Sequence, residues 1–271
     1  MDVREANILV HSRMAAGYNE REPHFRPENR ESVRRVLEGL RAEFGPRLLD
    51  IGCGTGFVIG LALDLFDEIY GVDITPAMLA RVPAATNVRV QEADASELPF
   101  PAERFDVVTA YSFFHHLRDM AQVAAEAFRV LRPGGGLYVD LEPNRHFWEA
   151  VLAVRSVVDS ATSRLARDEV ESVCHTDDRV AREYGIPHDV FNLAEYNKAV
   201  TGGIDSGEFQ KILRSCGFDQ VQTTHLWFAG QGKVLHGQSA EVADTIDRYL
   251  REALPLSRGL YKYLRFQAVK P

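Results

Sequence analysis

The sequence predicts an α/β fold, in which helices cover both faces of a mostly parallel sheet. Three observations predict it: short apolar runs alternate with amphipathic stretches, glycines follow the first apolar run, and 45% of the 271 residues are hydrophobic. Strands that alternate with helices favour a parallel sheet, because each helical crossover packs against a face of the sheet. Such crossovers are right-handed, which fixes how the sheet is wound.

The elements can be assigned in chain order from the spacing of apolar residues and from turn signals. Apolar residues at helical spacing predict an amphipathic helix over 28–44, which Gly45-Pro46 ends. The predicted elements that follow are a strand over 48–51, a helix over 57–66, a strand over 68–73, a helix that Thr75 caps and Pro76 begins, strands over 88–91 and 105–111, a helix over 120–131 and a strand over 137–142.

The stretch RLLDIGCGTG, residues 47–56, places three glycines directly after the first predicted strand. In a sheet of this kind, ligands bind beyond the carboxyl ends of the strands. Glycine tolerates positive φ and lets a ligand approach the backbone, and the next helix directs free N–H groups at the same place. Phe57 stands where a dinucleotide-binding fingerprint has its last glycine, so a pyrophosphate ligand is disfavoured. The alternative is a turn required only for packing.

Two aspartates follow the next two strands. Asp73 ends the second strand, where a carboxylate can accept hydrogen bonds from both hydroxyls of a ribose. The alternative for Asp73 is a cap on the helix near Thr75. Asp94, in EADASELPF, follows the third strand, where an acceptor can take an adenine amino proton, although a plain loop aspartate is the alternative.

In order along the chain, these segments resemble the class I S-adenosylmethionine-dependent methyltransferases. LLDIGCGTG and YGVDITPAML are similar to the first two motifs of that family, and QEADASELPF, FDVVTAYSFFHHL and VLRPGGGLYVD to the next three. The resemblance covers residues 30–142 and the tail from residue 202 onwards. It implies a Rossmann-like, seven-stranded, mostly parallel sheet with an antiparallel terminal strand, and S-adenosylmethionine as cofactor. These motifs do not specify the acceptor.

The resemblance also implies that nine residues bind the cofactor. They are Asp50, Gly52 and Gly54 for the methionine part, Asp73 for the ribose, Ile74, Asp94 and Ala95 for adenine, Tyr111 on the methionine side, and Tyr18 for the cofactor carboxylate. Tyr18 lies in RMAAGYNE, which is similar to a stretch of relatives in which a tyrosine reaches that carboxylate. The alternative for Tyr18 is a surface aromatic residue before a helix.

His115 and His116 follow the fourth predicted strand, near the expected position of a transferred methyl group. Methyl transfer depends chiefly on the alignment of the reactants, and a base helps only where the acceptor carries a proton of high pKa. Histidine can titrate near neutral pH, so both are candidate catalytic residues. The alternative is that they pack in this turn; it is favoured for His116 and left open for His115.

Two additions, residues 143–205 and 231–258, are not required by the cofactor fold. The first, with an apolar stripe from Phe147 to Leu165, is expected to be a helical cap over the active site, and the methyltransferase domain comprises 1–142 and 206–271. A closed cavity under a cap excludes water and suits a small organic acceptor. The candidate acceptor-binding residues are Trp148, Tyr184, Phe191 and Tyr196.

No metal is expected. The first addition contains His175, Asp177, Asp178 and His188, which are ligand types, but their spacing matches no known site and solvated loop residues are favoured.

Charge and cysteine usage limit the partners. The net charge of −8 disfavours nucleic acid. Three separated cysteines and an N-terminus without a signal peptide predict a cytoplasmic protein with no stable membrane insertion, and a homodimer is left open. The predicted function is methyl transfer to O or N of a small organic molecule. The alternatives are a lipid-like or quinone acceptor, or a protein that binds S-adenosylmethionine without methylating.

Overall fold

A computed structural model describes residues 1–155, 167, 168, 170, 171 and 176–271, and its centre is a seven-stranded sheet. The strands are β1 (Arg47–Ile51), β2 (Glu68–Asp73), β3 (Val88–Glu92), β4 (Phe105–Tyr111), β5 (Leu131–Pro143), β6 (Asp219–Phe228) and β7 (Tyr261–Val269). Their order is β3-β2-β1-β4-β5-β7-β6. β1 to β5 pair in parallel and β7 is antiparallel to both its neighbours, which confirms the predicted fold class.

Helices lie on both faces of this sheet. Those described are α1 (Val3–Met14), α2 (Tyr18–Arg21), α3 (Pro27–Phe44), α4 (Phe57–Ala62), α5 (Pro76–Leu79), α6 (Met120–Val130), α7 (Arg145–Arg155), α8 (Thr176–Tyr184), α9 (His188–Ala194), α10 (Tyr196–Ala199), α11 (Ser206–Ser215), α12 (Gln231–Gly237) and α13 (Ala240–Glu252). Single 3-10 turns cover Ala15–Gly17, Pro23–Phe25, Phe114–His116 and Leu256–Leu260.

The central strands are buried on both faces because alternate side chains enter two separate hydrophobic clusters. Leu49 and Val108 belong to a cluster with Val123 of α6. Their chain neighbours Leu48 and Val107 belong to a second cluster, on the α3 side of the sheet. This two-residue alternation is the period of a strand, and it explains why the sequence of β4 is apolar almost throughout.

Most predicted elements are confirmed with small changes in their bounds. The helix predicted over 57–66 ends at Ala62, and the strand predicted from residue 137 begins at Leu131. The side chain of Thr75 makes no capping hydrogen bond; Oδ1 of Asp73 accepts from the Thr75 N–H instead. The second addition is helical between β6 and β7, as expected. The part of the apolar stripe beyond Arg155, like His175, lies outside the described residues.

Helix α1 was not predicted. It packs against the first addition, which was expected to form the cap by itself. It begins with a capping box, in which Glu5 N–H donates to Asp2 and Asp2 N–H donates to Glu5. Its buried residues Ala6 and Val10 pack in one cluster with Phe191 of α9. The N-terminus therefore joins the first addition. No helix within the described ranges is long and apolar enough to cross a membrane.

The carboxylate of Asp106 on β4 gives the first prediction, which concerns stability. It accepts hydrogen bonds from the backbone and guanidinium of Arg47 and from Arg132, and these lower its pKa to about 2 although burial alone would raise it. We expect Asp106→Asn to lower the free energy of unfolding by about 2 kcal/mol at pH 7, the usual size for hydrogen bonds to a charged group.

The folded pKa of Asp106 lies below its ordinary value, so the stabilisation is complete above pH 4 and is lost as the pH falls toward 2. Urea unfolding should therefore show a smaller difference between mutant and native protein at pH 3 than at pH 7. Asp64→Asn is the control, because Asp64 is exposed and its ion pair with Arg34 should contribute little. An equal difference at both pH values would contradict this account.

Candidate active site

Two adjoining cavities lie at the carboxyl ends of the parallel strands. The smaller, of about 280 Å³, is lined by the glycine turn after β1 and by the ends of β2 and β4. The larger, of about 960 Å³, extends beneath the described part of the first addition. We call them the inner and the outer cavity. The residues that line both, and so mark the boundary, are His11, Tyr18, His24, Ser112 and His116.

The glycine turn serves both packing and the inner cavity. Gly52 has a φ of +64°, and a Cβ there would lie 2.1 Å from the ring of Phe113, so glycine is needed for close packing. Gly54 has a φ of +53°, but a Cβ there would meet only Met78, at 3.6 Å. Because Gly54 lines the inner cavity, its bare backbone leaves room for a ligand.

Asp73 combines the two functions that the sequence left as alternatives. Its Oδ1 accepts from the Thr75 N–H at 2.8 Å, and its Oδ2 accepts from the Gly54 N–H at 2.9 Å. Asp73 also lines the inner cavity, and each carboxylate oxygen has a second lone pair. The carboxylate can therefore tie the glycine turn to β2 and still accept hydroxyl donors.

Asp94 also lines the inner cavity and is held there by two elements. It accepts from the backbone and hydroxyl of Ser96, and it forms an ion pair of 3.2 Å with Arg4 of α1. Helix α1 therefore forms part of the wall where the resemblance expects adenine.

All nine residues predicted to bind the cofactor line the inner cavity: Tyr18, Asp50, Gly52, Gly54, Asp73, Ile74, Asp94, Ala95 and Tyr111. Their individual roles stay predictions. The convergence has a simple cause, since the carboxyl ends of parallel strands meet at one edge of the sheet.

Asp50, at the end of β1, is a buried carboxyl group with one hydroxyl donor, Thr109 Oγ1, at 2.7 Å. Burial raises its pKa to about 7; the hydrogen bond opposes this and the charge of Asp73 adds to it. A cation in the inner cavity would favour the ionised form. The ammonium of the methionine part of S-adenosylmethionine is such a cation, so the residues present fit this cofactor.

The histidine pair is positioned by Glu142, at the end of β5. This fully buried carboxylate accepts from the backbone N–H groups of Phe113, Phe114 and His115, at 2.8 to 3.0 Å. It also accepts from Nδ1 of His115, at 2.9 Å. One carboxylate thus fixes both the turn after β4 and the orientation of the first ring.

His116 is oriented by the first addition. Its Nδ1 donates to the Ala194 carbonyl at 2.8 Å, and the same oxygen accepts from Asn7 of α1 at 3.2 Å. A backbone oxygen can only accept, so the neutral ring keeps its proton on Nδ1 and leaves Nε2 as the basic nitrogen. Burial and then the charge of His115 lower the pKa of His116, which keeps the ring neutral at pH 7.

Comparisons with known proteins agree with this geometry. Residues 49–139 match the family model of a methyltransferase domain. A probable S-adenosylmethionine-dependent methyltransferase of Mycolicibacterium smegmatis is 39% identical over 102 residues, 37% of this chain and 39% of the relative. The 27-O-demethylrifamycin SV methyltransferase of Amycolatopsis mediterranei is 39% identical over 140 residues, 44% of this chain and 51% of the relative.

Residues 49–139 of this chain are therefore a methyltransferase domain of the S-adenosylmethionine-dependent kind. Demethylmenaquinone methyltransferase of Thermus thermophilus is 40% identical over 117 residues, 39% of this chain and 52% of the relative. The chain spans about half or less of the length of these curated relatives. In fold, it is similar to phosphoethanolamine N-methyltransferase 2 of Haemonchus contortus, with a TM-score of 0.58, 18% identity, and coverage of 100% of this chain and 60% of that one.

The outer cavity receives only part of the predicted acceptor-binding set. Trp148 and Phe191 line it, as do His115 and His116. Tyr184 and Tyr196 are not on the wall of either cavity. The hydroxyl of Tyr184 accepts from Arg21 at 2.7 Å, and its ring packs beside the cluster of α1 and α9. The acceptor-binding role of these two tyrosines therefore finds no support in the lining of the two cavities and stays a prediction.

Glu195 is a site residue of the methyltransferase that sequence reasoning missed. Its Oε1 is 3.7 Å from Nδ1 of His116, its Oε2 is 3.8 Å from Nε2 of His115, and Lys198 Nζ is 2.8 Å from Oε2. The two histidines and Glu195 could each bring one metal-ligating atom to within 4.8 Å of the others. Both Nδ1 atoms and the carboxylate already have protein partners, so we assign no metal to this cluster.

The raised pKa of Asp50 generates the second prediction. Below pH 7 a cationic ligand must displace a proton from Asp50, so affinity should rise with pH and then level off. Calorimetry with S-adenosylhomocysteine, which keeps the ammonium group, should show about tenfold weaker binding at pH 6 than at pH 8. Asp50→Asn should bind more weakly at pH 8 and lose the pH dependence; a variant that keeps it would assign the effect elsewhere.

Proposed function

We propose that this methyltransferase transfers a methyl group to an oxygen or nitrogen atom of a small organic molecule. The observation that carries the proposal is the position of His116, on the boundary between the inner cavity and the outer cavity. A basic nitrogen at that boundary can take a proton from an acceptor in the outer cavity. The inner cavity already contains every residue predicted to bind the cofactor.

Different residues would bind the cofactor and accept the proton. The glycine turn, Asp73 and Asp94 hold the cofactor, and Asp50 pairs with its ammonium. S-adenosylmethionine, when bound, supplies the methyl group. His116 accepts a proton at Nε2, while the Ala194 carbonyl keeps the other ring nitrogen protonated. Most of the rate enhancement would come from alignment in a water-poor cavity, with the base adding a smaller factor.

The first addition, residues 143–205, would act as the cap over the acceptor. Trp148 of α7, Arg179 of α8 and Phe191 of α9 all line the outer cavity. Its volume of about 960 Å³ lies at the upper end of the range for small-molecule sites, about 300–1,000 Å³. The proposed division into a domain of 1–142 and 206–271 and a cap is supported by this placement, with α1 packed against the cap.

A quinone acceptor is a second candidate, because several relatives are named demethylmenaquinone methyltransferases. The outer cavity contains charged side chains, including Glu22, Arg179 and Lys198, beside the aromatic ones. These charges favour a polar acceptor over a long apolar tail. The two candidates differ in one test: vesicles that contain a demethylated quinone should recruit the protein only if that is its acceptor.

The proposed function is tested by turnover. The protein should release S-adenosylhomocysteine when S-adenosylmethionine is supplied with at least one member of a panel of phenols, alcohols, amines and quinols. Calorimetry should show binding of S-adenosylhomocysteine at micromolar level or tighter, about −8 kcal/mol, and no comparable binding of NAD. Tight cofactor binding with no turnover on any acceptor would instead support a protein that binds the cofactor without methylating.

The third prediction concerns His116. With an acceptor from the panel, His116→Gln should lower kcat by about 10²–10⁴-fold, since a glutamine can keep the hydrogen bond to Ala194 but cannot take a proton. The affinity for S-adenosylhomocysteine should not change. His236→Gln is the matched control, because His236 lines the outer cavity only. If both variants lower kcat equally, His116 is not the base.

A further inference from the structure

An ion pair from the first addition lies directly beside the histidine pair. Glu195 separates α9 from α10, and Lys198 lies on α10. The Glu195 side chain is 12% exposed, and Lys198 Nζ is 2.8 Å from its Oε2. The same carboxylate faces His116 through Oε1, at 3.7 Å, and His115 through Oε2, at 3.8 Å. Lys198 and both histidines therefore approach one carboxylate.

Such a geometry influences how easily His116 is protonated. The nearly buried ring is surrounded by groups that oppose a positive charge: the low-dielectric interior, His115 on its own turn, and His11 of α1 with its ring centroid at 5.0 Å. Burial and His115 lower the pKa of His116, and the charge of Glu195 counteracts that lowering. Two contacts thus favour the protonated ring, the Glu195 carboxylate and the Ala194 carbonyl.

Charged groups that do not contact His116 directly affect it through their neighbours Glu195 or His115. Glu142 of β5 faces His115 alone, at Nδ1. Glu22, before the turn at Pro23–Phe25, and Arg179 of α8 line the same cavity; burial raises the pKa of the Glu22 carboxyl, which Arg179 and Lys198 oppose and Glu195 reinforces. Lys198 is the nearest cation to Glu195 and partly cancels its field.

We propose that Glu195 and Lys198 are a positioning pair that sets how readily His116 takes up a proton. Glu195 favours the protonated ring, and Lys198 moderates this effect, so that the first addition supplies part of the catalytic chemistry as well as the cavity wall. The inference rests on the proposed function for the role of His116 as a base, but its direct test does not require turnover.

Lys198 also helps to keep Glu195 ionised. Burial alone would raise the pKa of Glu195, but Lys198 and the two histidines hold it below its ordinary value. The carboxylate therefore presents a negative charge to His116 throughout the working pH range. A purely structural ion pair, joining residues three apart around the start of α10, would stabilise the helix without affecting His116.

The proposal predicts opposite shifts from the two halves of the pair, and this is the fourth prediction. Glu195→Gln removes the negative charge and should lower the pKa of His116. Lys198→Met removes the cation; because both histidines also favour the ionised form of Glu195, the carboxylate keeps its charge, acts on His116 unopposed and should raise that pKa. We expect a shift of about one unit in each direction, the usual spread of histidine pKa values in folded proteins.

The measurement is NMR titration of the full chain, labelled with ¹³C at histidine and saturated with S-adenosylhomocysteine, between pH 5 and 9. The chain has 9 histidines, and the His116→Gln variant assigns the resonance of interest. Glu195→Asp, which keeps the charge, should restore the native titration. Glu126→Gln is the matched control, because Glu126 forms an equivalent i,i+3 pair with Arg129, on α6.

The outcomes are decisive in both directions. A higher titration midpoint in Lys198→Met, together with a lower one or no titration above pH 5 in Glu195→Gln, supports the pair. A shift in the Glu126→Gln control, equal midpoints in all variants, or a His116 that stays unprotonated to pH 5 in every variant overturns it. Turnover that fails on every acceptor while these shifts appear would reject the proposed function and leave the positioning pair intact.

Discussion

The fully buried carboxylate of Glu142 is the interaction on which both cavities depend. It accepts three successive backbone N–H groups of the turn after β4 and the Nδ1 proton of His115. The same turn packs Phe113 against Gly52 on the side of the inner cavity and carries His116 to the boundary with the outer one. Replacing such a carboxylate would leave several buried donors unpaired, which costs more than the hydrogen bonds contribute.

Three carboxyl groups near the site differ in how many hydrogen-bond donors and cations surround them. A carboxyl group that has few such partners is the one suited to bind a ligand. Glu142 has four donors, and Glu195 has an ammonium at 2.8 Å. Asp50 has a single hydroxyl donor, and its pKa is raised to about 7. A buried acid without a cation stays uncharged until something supplies one. Asp50 is therefore the carboxylate in this group that is suited to an external cation.

The sequence brought together the residues that line the inner cavity better than those that line the outer cavity, for a physical reason. Eight of the nine residues predicted to bind the cofactor lie at the ends of adjacent parallel strands or directly after them, so local patterns and the topology of the sheet bring them together; Tyr18 lies on α2. Glu195 reaches His116 across about eighty residues of chain, through helices whose arrangement is set by tertiary packing alone. No local pattern encodes such a contact. The packing of Tyr184 beside the cluster that contains Ala6 and Val10 could not be predicted for the same reason, since α1 was not predicted.

Helix α1 could have been predicted from the signal at its start, but not from the pattern of apolar residues along it. The Asp2–Glu5 capping box is a clear start signal, but the buried positions include Asn7 and the small Ala6, which give no strong apolar stripe. Asn7 is buried because its side chain donates to the Ala194 carbonyl, the oxygen that also orients His116.

This shared oxygen links the two sides of the site. Arg4 of the same helix pairs with Asp94 at the inner cavity, and Asn7 shares the Ala194 carbonyl with His116, so α1 contacts both the expected cofactor site and the histidine pair. A division of the chain at residue 142 separates pieces that pack together, because Ala6, Val10 and Phe191 form one cluster. The N-terminal helix and the described part of the first addition therefore form one packed unit. Order in α1 and the orientation of His116 should therefore be coupled, since both depend on the same carbonyl.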